Sequence, residues 1–211
     1  MTPRHHPDHA LVIDFAAGTL GPGRNLVLSS HLGVCPACRE EARLAESIGG
    51  ALLGNLPPVA MQVDALARAL ARIERPPAAP APDVPSPVDW IQTPPEVAAA
   101  ARRRRWAAPG VWVAPVIRGP GAERTYLLRV AAGMAVPRHS HRGAELVCVL
   151  KGAYHDGARV HARGDFAEND EAIDHRPRAT AESECICLIA ADRPLVARDW
   201  VGKLFQPFVR I

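Results

Sequence analysis

Residues 76–95 read PPAAPAPDVPSPVDWIQTPP, with proline at positions 76, 77, 80, 82, 85, 87, 94 and 95. Proline fixes φ and removes a backbone donor, so this stretch holds neither a helix nor a central strand and favours an extended, semi-stiff chain. We read a linker over 76–105, dividing the protein into a unit at 1–75 and another at 106–211. Two small units also suit 211 residues carrying 21 prolines against 16 glycines. Hydrophobic residues make up 48% of the chain, which excludes wholesale disorder. With 25 Lys and Arg against 22 Asp and Glu, the net charge of +3 is too small for a phosphate-dominated nucleic-acid binder. Where the linker ends, Pro95 to Arg105 reads as a short helix closing on Arg102 to Arg105, more simply a solvated basic face than a patch for phosphate or an acidic partner.

The patterns on the two sides of the linker differ. Before it they are helical. Leu11, Val12 and Phe15 mark a helix closed by Gly18, and Leu26, Val27 and Leu32 belong to a second that follows Pro22 and Gly23. Cys35 opens a third with Pro36 at its first position and Leu44, Ile48 and Leu52 on one stripe. A fourth stripe runs Val63, Leu66, Ala67, Leu70 and Ile73, so the expected unit is a small all-α bundle. After Trp106 the pattern becomes short β-like runs at Val111 to Ile117, Thr125 to Val130, Leu146 to Leu150 and Cys185 to Ala190. Such runs broken by glycine predict an all-β sandwich or barrel. No apolar run approaches the roughly 18 residues that span a bilayer, and the best stretch, Ile48 to Met61, is cut by Gly54, Pro57 and Pro58. The N-terminus, with His5, His6, Asp8 and His9, has no apolar signal core, so a cytoplasmic protein without a membrane partner is expected.

Five cysteines, two of them as Cys35-Pro-Ala-Cys38, point in such a protein to metal or redox chemistry. His31 lies four residues before Cys35, and Cys38 three after it, so successive donors fall on neighbouring positions of one helical face. Two thiolates and an imidazole suit zinc, which takes a fourth ligand in structural sites. His6, ahead of the first helix, would close the set by pinning that helix to the second and third, but His5 and His9 are rival fourth ligands that the spacing does not separate from it. A bundle this small has too little core to be comfortable alone, and zinc would staple it.

His6, His31, Cys35 and Cys38 in this spacing resemble the zinc-binding domain of anti-sigma factors that sequester extracytoplasmic-function sigma factors. The segments His5-His6-Pro7, Phe15 to Leu20 and His31 to Arg39 resemble the ChrR family in particular, cytoplasmic anti-sigma factors whose C-terminal half is a cupin. The resemblance implies that His6, the second histidine of the leading pair, is the ligand. It also implies a sigma factor as partner in a one-to-one complex, bound by residues 1–75. The amphipathic fourth helix, through Val63, Leu66, Leu70 and Ile73, is then either a partner-binding arm or part of its own bundle.

The second half carries its own ligand pattern. Gly133, His139, His141, Glu145 and Gly152 match the first cupin motif at every position, and alternate strand positions put His139 and His141 on one face. Gly164-Asp165-Phe166 through His175 resembles the second motif, although Asp170 and Ala172 stand where cupins have proline and glycine. His175 is thus the expected fourth ligand, with His155 and His161 in reserve. Three imidazoles and a carboxylate suit zinc, manganese, iron or nickel. The ChrR resemblance implies zinc, no enzymatic activity, and a sensing role toward singlet oxygen and organic peroxides. A metal-dependent cupin oxygenase is the competing reading. Cys185 and Cys187 share one face of a strand and read as buried small hydrophobes or as a redox pair with Cys148 as a candidate third member.

Overall fold

The computed structural model describes residues 2–74, 94–117 and 123–197. Of the expected linker at 76–105, residues 76–93 lie outside them. Three helices come first: α1 (His9–Ala16), α2 (Pro22–Leu32) and α3 (Pro36–Gly54). Local chemistry sets their ends. Asp8 caps α1 by accepting from the Ala10 N–H at 2.8 Å, and Pro22 and Pro36 sit in the first turns of α2 and α3, where no donor is lost. Gly18, at φ +69°, lets the chain leave α1.

These three helices pack on one another through Val12, Leu28 and Ala42, with the two cysteines Cys35 and Cys38 in the same core. The expected fourth helix forms as α4 (Ala65–Glu74), but none of its residues is buried. The stripe Leu44, Ile48 and Leu52 is also exposed, at 56–67%. The reason is length: α1 has 8 residues, about 12 Å, and α3 has 19, about 28 Å, so the far half of α3 outruns the helix that covers its start. Among the described residues no helix is long and apolar enough to cross a membrane.

Helix α5 (Pro95–Ala101) ends before the arginines, and Arg105 opens a strand, β1 (Arg105–Ala108), where the sequence suggested a helix end. An antiparallel β structure follows. The long strands β2 (Val111–Ile117), β3 (Arg124–Val130), β5 (Glu145–Lys151) and β11 (Cys185–Ala191) lie where the apolar runs predict. With β1 and β8 (Phe166–Asn169) they form a six-stranded sheet in the order β1-β2-β3-β11-β5-β8. Two three-stranded sheets complete the sandwich. One is β10-β6-β7, from Arg178–Ala179, Ala153–Asp156 and Arg159–Ala162; the other is β12-β4-β9, from Val196–Ala197, His139–Ser140 and Asp174–His175.

Strand alternation divides the large sheet's residues between two cores. Tyr126, Val147, Val149, Cys185, Cys187 and Ile189 face the sandwich interior, where Tyr154 and Ala179 of the small sheet meet them. Leu127, Leu146, Cys148, Leu150, Ile186 and Leu188 face the other way and pack against α2 and α5, in one core with the three-helix bundle. Cys148 is therefore on the opposite face from Cys185 and Cys187.

Polar contacts reinforce this docking. The Glu123 carboxylate accepts from the Arg24 N–H at 2.8 Å, capping the start of α2 from outside, and the Arg24 guanidinium pairs with Asp192. Gly23 admits the approach, since a Cβ there would stand 2.0 Å from Oγ1 of Thr125.

Candidate metal centres

The first cluster is assembled at the junction of the N-terminal segment, α2 and α3. His31 is in the last turn of α2, Cys35 caps α3 and Cys38 lies in its first turn, while His6 comes from the segment before α1. Nδ1 of His6 is 3.4 Å from Sγ of Cys35 and 3.3 Å from Sγ of Cys38, and Nε2 of His31 is 3.4 Å from Sγ of Cys38. Zinc at about 2.3 Å from sulfur and 2.0–2.1 Å from nitrogen gives tetrahedral N···S edges of about 3.5 Å. The spacing therefore fits that donor set.

The protonation states fit it too. His31 donates from Nδ1 to the carbonyl of Gly164 at 2.7 Å, which leaves Nε2 as a bare lone pair facing the thiols. Burial lowers the His31 pKa and keeps the ring neutral. Burial also pushes the Cys38 thiol up to about 12, with neighbouring Cys35 adding to the shift, so two thiolates here need a cation beside them. His5 and His9 stand apart from this set: His5 bonds to Asp165, and exposed His9 pairs with Glu41.

The second cluster is at the mouth of the sandwich interior. His139 (β4) and His175 (β9) are register partners, and His141 follows β4 on the same face. Nε2 of His175 is 3.0 Å from Nε2 of His139 and 3.1 Å from Nε2 of His141. His139 donates from Nδ1 to the Pro137 carbonyl at 2.8 Å, and His175 donates from Nδ1 to Asp156 at 2.8 Å. With its proton on Nδ1, His139 presents a bare Nε2 lone pair toward the Nε2 of His175. A cation between the rings would satisfy the converging nitrogens. Imidazole nitrogens about 2.0–2.1 Å from one cation stand about 2.9 Å apart at a right angle and about 3.4 Å at the tetrahedral angle, bracketing these distances. Burial lowers the pKa of His139 and, with the two neighbouring imidazoles, takes His141 down to about 4, so neither ring competes for a proton.

The structure does not bring Glu145 into this three-imidazole group. Its carboxylate, buried at the start of β5, accepts from Asn169 at 3.0 Å and lies 3.5 Å from Nδ1 of His141, the nitrogen opposite the one that meets His175. Burial raises its pKa. Glu145 nevertheless lines the same cavity of about 60 Å³ as His139 and His175, with Tyr126, Cys185 and Cys187 in its wall. That is room for a few waters or a small oxidant in an otherwise apolar chamber. The two thiols are 3.7 Å apart, and hydrogen bonding to Cys185 together with burial holds the Cys187 thiol well above its ordinary range.

Among the other histidines, His155 is exposed and His161 is buried outside the three-imidazole group. Asp156 and Asn169, which orient His175 and Glu145, carry no sequence signal, because their roles depend on contacts between distant strands.

Known proteins resemble this chain along its full length. Residues 89–193 match the family model described as the ChrR cupin-like domain. The crystal structure of Rhodobacter sphaeroides SigE in complex with the anti-sigma ChrR aligns with a TM-score of 0.74 and 35% identity, over 90% of this chain and 100% of the matched one. The anti-sigma-E factor ChrR of Cereibacter sphaeroides is 38% identical over the full length of both proteins. With both ligand clusters assembled and the likeness running end to end, this chain belongs to the ChrR family of anti-sigma factors.

Proposed function

We propose that the protein holds an extracytoplasmic-function sigma factor through residues 1–75 and releases it when the cupin half, residues 106–211, responds to singlet oxygen or an organic peroxide. The binding half of this reading rests on the uncovered apolar surface of α3 and α4. Leu44, Ile48 and Leu52, then Val63, Leu66, Leu70 and Ile73, are between 50% and 107% exposed at helical spacing. So much exposed apolar surface marks an interaction site, and an amphipathic helix suits a groove on a partner. The structural relative was solved with a sigma factor, which supports that partner class.

In this reading His6, His31, Cys35 and Cys38 hold a zinc ion that staples the N-terminal segment to α2 and α3. His139, His141 and His175, with Glu145 as the carboxylate of the same cavity, hold a second zinc. Zinc supplies Lewis acidity without redox chemistry, which suits a regulator better than an oxygenase. Cys185 and Cys187 are the oxidisable pair within reach of whatever enters that cavity.

Copurification tests the reading. A coexpressed sigma factor from the same genome should be retained by the wild-type chain, with about one zinc per cluster by elemental analysis. Failure of any such sigma factor to copurify overturns the binding half. The double variant His141→Ala/Glu145→Ala should keep sigma capture and lose the stress response. Loss of both together would make the cupin merely structural. Iron in the second cluster with oxygen uptake would favour the oxygenase.

A further inference from the structure

A third group of donors lies outside both clusters, where the N-terminal segment crosses the turn between β7 and β8. Asp165 is 2% exposed and points inward. Its Oδ1 accepts from the N–H groups of Arg4 at 2.6 Å and His5 at 3.2 Å, and its Oδ2 accepts from the Ala162 N–H at 2.8 Å and from Nδ1 of His5 at 3.0 Å. His161, on β7, is 5% exposed; its ring centroid is 4.3 Å from that of His5, and it stacks on Tyr154 at 5.0 Å. One ligand atom from each of His5, His161 and Asp165 lies within 4.8 Å of those of the other two.

Nδ1 of His161 is buried and has no hydrogen-bond partner among the described residues. A desolvated ring nitrogen without a partner is costly, and such exceptions in a well-packed structure call for an explanation. Here that nitrogen belongs to a ring packed against an imidazole and an anchored carboxylate. Backbone N–H groups fix the carboxylate, so its position does not depend on a bound ion.

We propose that His5, His161 and Asp165 form a third divalent-cation site, which ties the N-terminal segment to the β7–β8 turn. Two imidazoles and a carboxylate suit zinc and its neighbours cobalt and nickel, and disfavour the oxygen-seeking magnesium and calcium. The site goes beyond the proposed anti-sigma reading and does not depend on it. Its location gives it a consequence: His5 precedes His6, a member of the first cluster. A cation here would pin the chain on the cupin side of the residue that completes that cluster. Occupancy would then set how firmly the cupin half holds the helical half.

The test is a cobalt titration of the metal-free full chain, comparing wild type with His5→Asn and His161→Asn. Wild type should take up one more cobalt than either variant, while all three keep the same thiolate-to-cobalt absorption from Cys35 and Cys38. Equal uptake by wild type and His5→Asn overturns the site, leaving a hydrogen-bonded strap. Loss of the thiolate band in His5→Asn also overturns it, because the missing ion then came from the first cluster. Should His161→Asn fail to fold, the partly exposed His5 decides alone. If either of the other clusters proves not to bind cobalt, both totals fall together and the difference of one still stands.

Discussion

Gly164 is one of the residues on which the two halves meet. Its carbonyl accepts a hydrogen bond from Nδ1 of His31, its φ is +92°, and a Cβ there would stand 3.1 Å from Cγ of Pro3 and 3.2 Å from Cγ2 of Val34. Gly164→Ala therefore meets both backbone strain and a crowded interface, and should cost about 1–3 kcal/mol. The expected result is a lower melting temperature together with faster loss of metal from the first cluster to a chelator. Unchanged metal retention would show that the Gly164 contact does not position His31. Glu184 makes a different kind of tie, accepting from Arg129 at 2.8 Å and Lys151 at 3.2 Å at one end of the large sheet. Partial burial raises its pKa, but these hydrogen bonds outweigh that and hold the carboxyl below its ordinary value of 4.5. A carboxylate with a depressed folded-state pKa stabilises above the unfolded value, and that contribution is lost as pH falls through the folded one. Glu184→Gln should thus cost about 1 kcal/mol at neutral pH, with the gap to wild type closing below about pH 4.5 in denaturant titrations.

At the scale of elements, α4 is the helix whose exposure most needs a function. None of its residues is buried among the described residues, so Leu66→Asp and Leu70→Asp should leave the melting temperature within about 1–2 °C, in line with small effects at exposed sites. The same changes should weaken sigma capture at least about tenfold, as expected when an apolar anchor becomes a charge. Retained capture would move the interface off α4. Periodicity made α4 legible but could not say what it packs on, and the same limit explains the stripe of α3. Leu44, Ile48 and Leu52 have the spacing of a core face, and spacing cannot tell a face covered by its own chain from one kept for a partner. Local signals did better. Pro22, Pro36 and Gly18 marked helix ends, and the four long β runs were found where apolar residues cluster. The short strands β4, β9, β10 and β12 have two residues each, too few for a pattern, and exist because neighbours supply their hydrogen bonds. The three imidazoles were legible because a motif spacing encodes them. Asp156, Asn169 and Asp165 were not, since each acts through a partner 19 to 161 residues away.

For the whole molecule, the arrangement of cores argues that the two halves do not behave as independent beads on a proline string. Leu28 and Val27 of α2, both fully buried, share a core with Leu127, Cys148 and Leu188 of the large sheet, and the ring of Phe166 stacks edge-on against His31 at 5.6 Å. The helical half therefore buries one side of its small core on the cupin rather than on itself. A unit this small gains from borrowed surface as well as from metal. Unfolding should be coupled: calorimetry on the metal-loaded chain should give one main transition, not two. Leu28→Ala should lower that single transition, with a cost of about 2–5 kcal/mol for an unfilled buried leucine site. Two resolved transitions in the wild type, with only the lower one moved by Leu28→Ala, would refute the coupling. The prediction bears on signalling. In the proposed reading, a change in the cupin cavity would reach the outer face through β5 and β11, whose alternate residues line the two cores, and that face is the one α2 rests on. If the halves unfold as one, a disturbance in the cavity costs the helical half stability directly, and release of a bound partner needs no separate messenger between them.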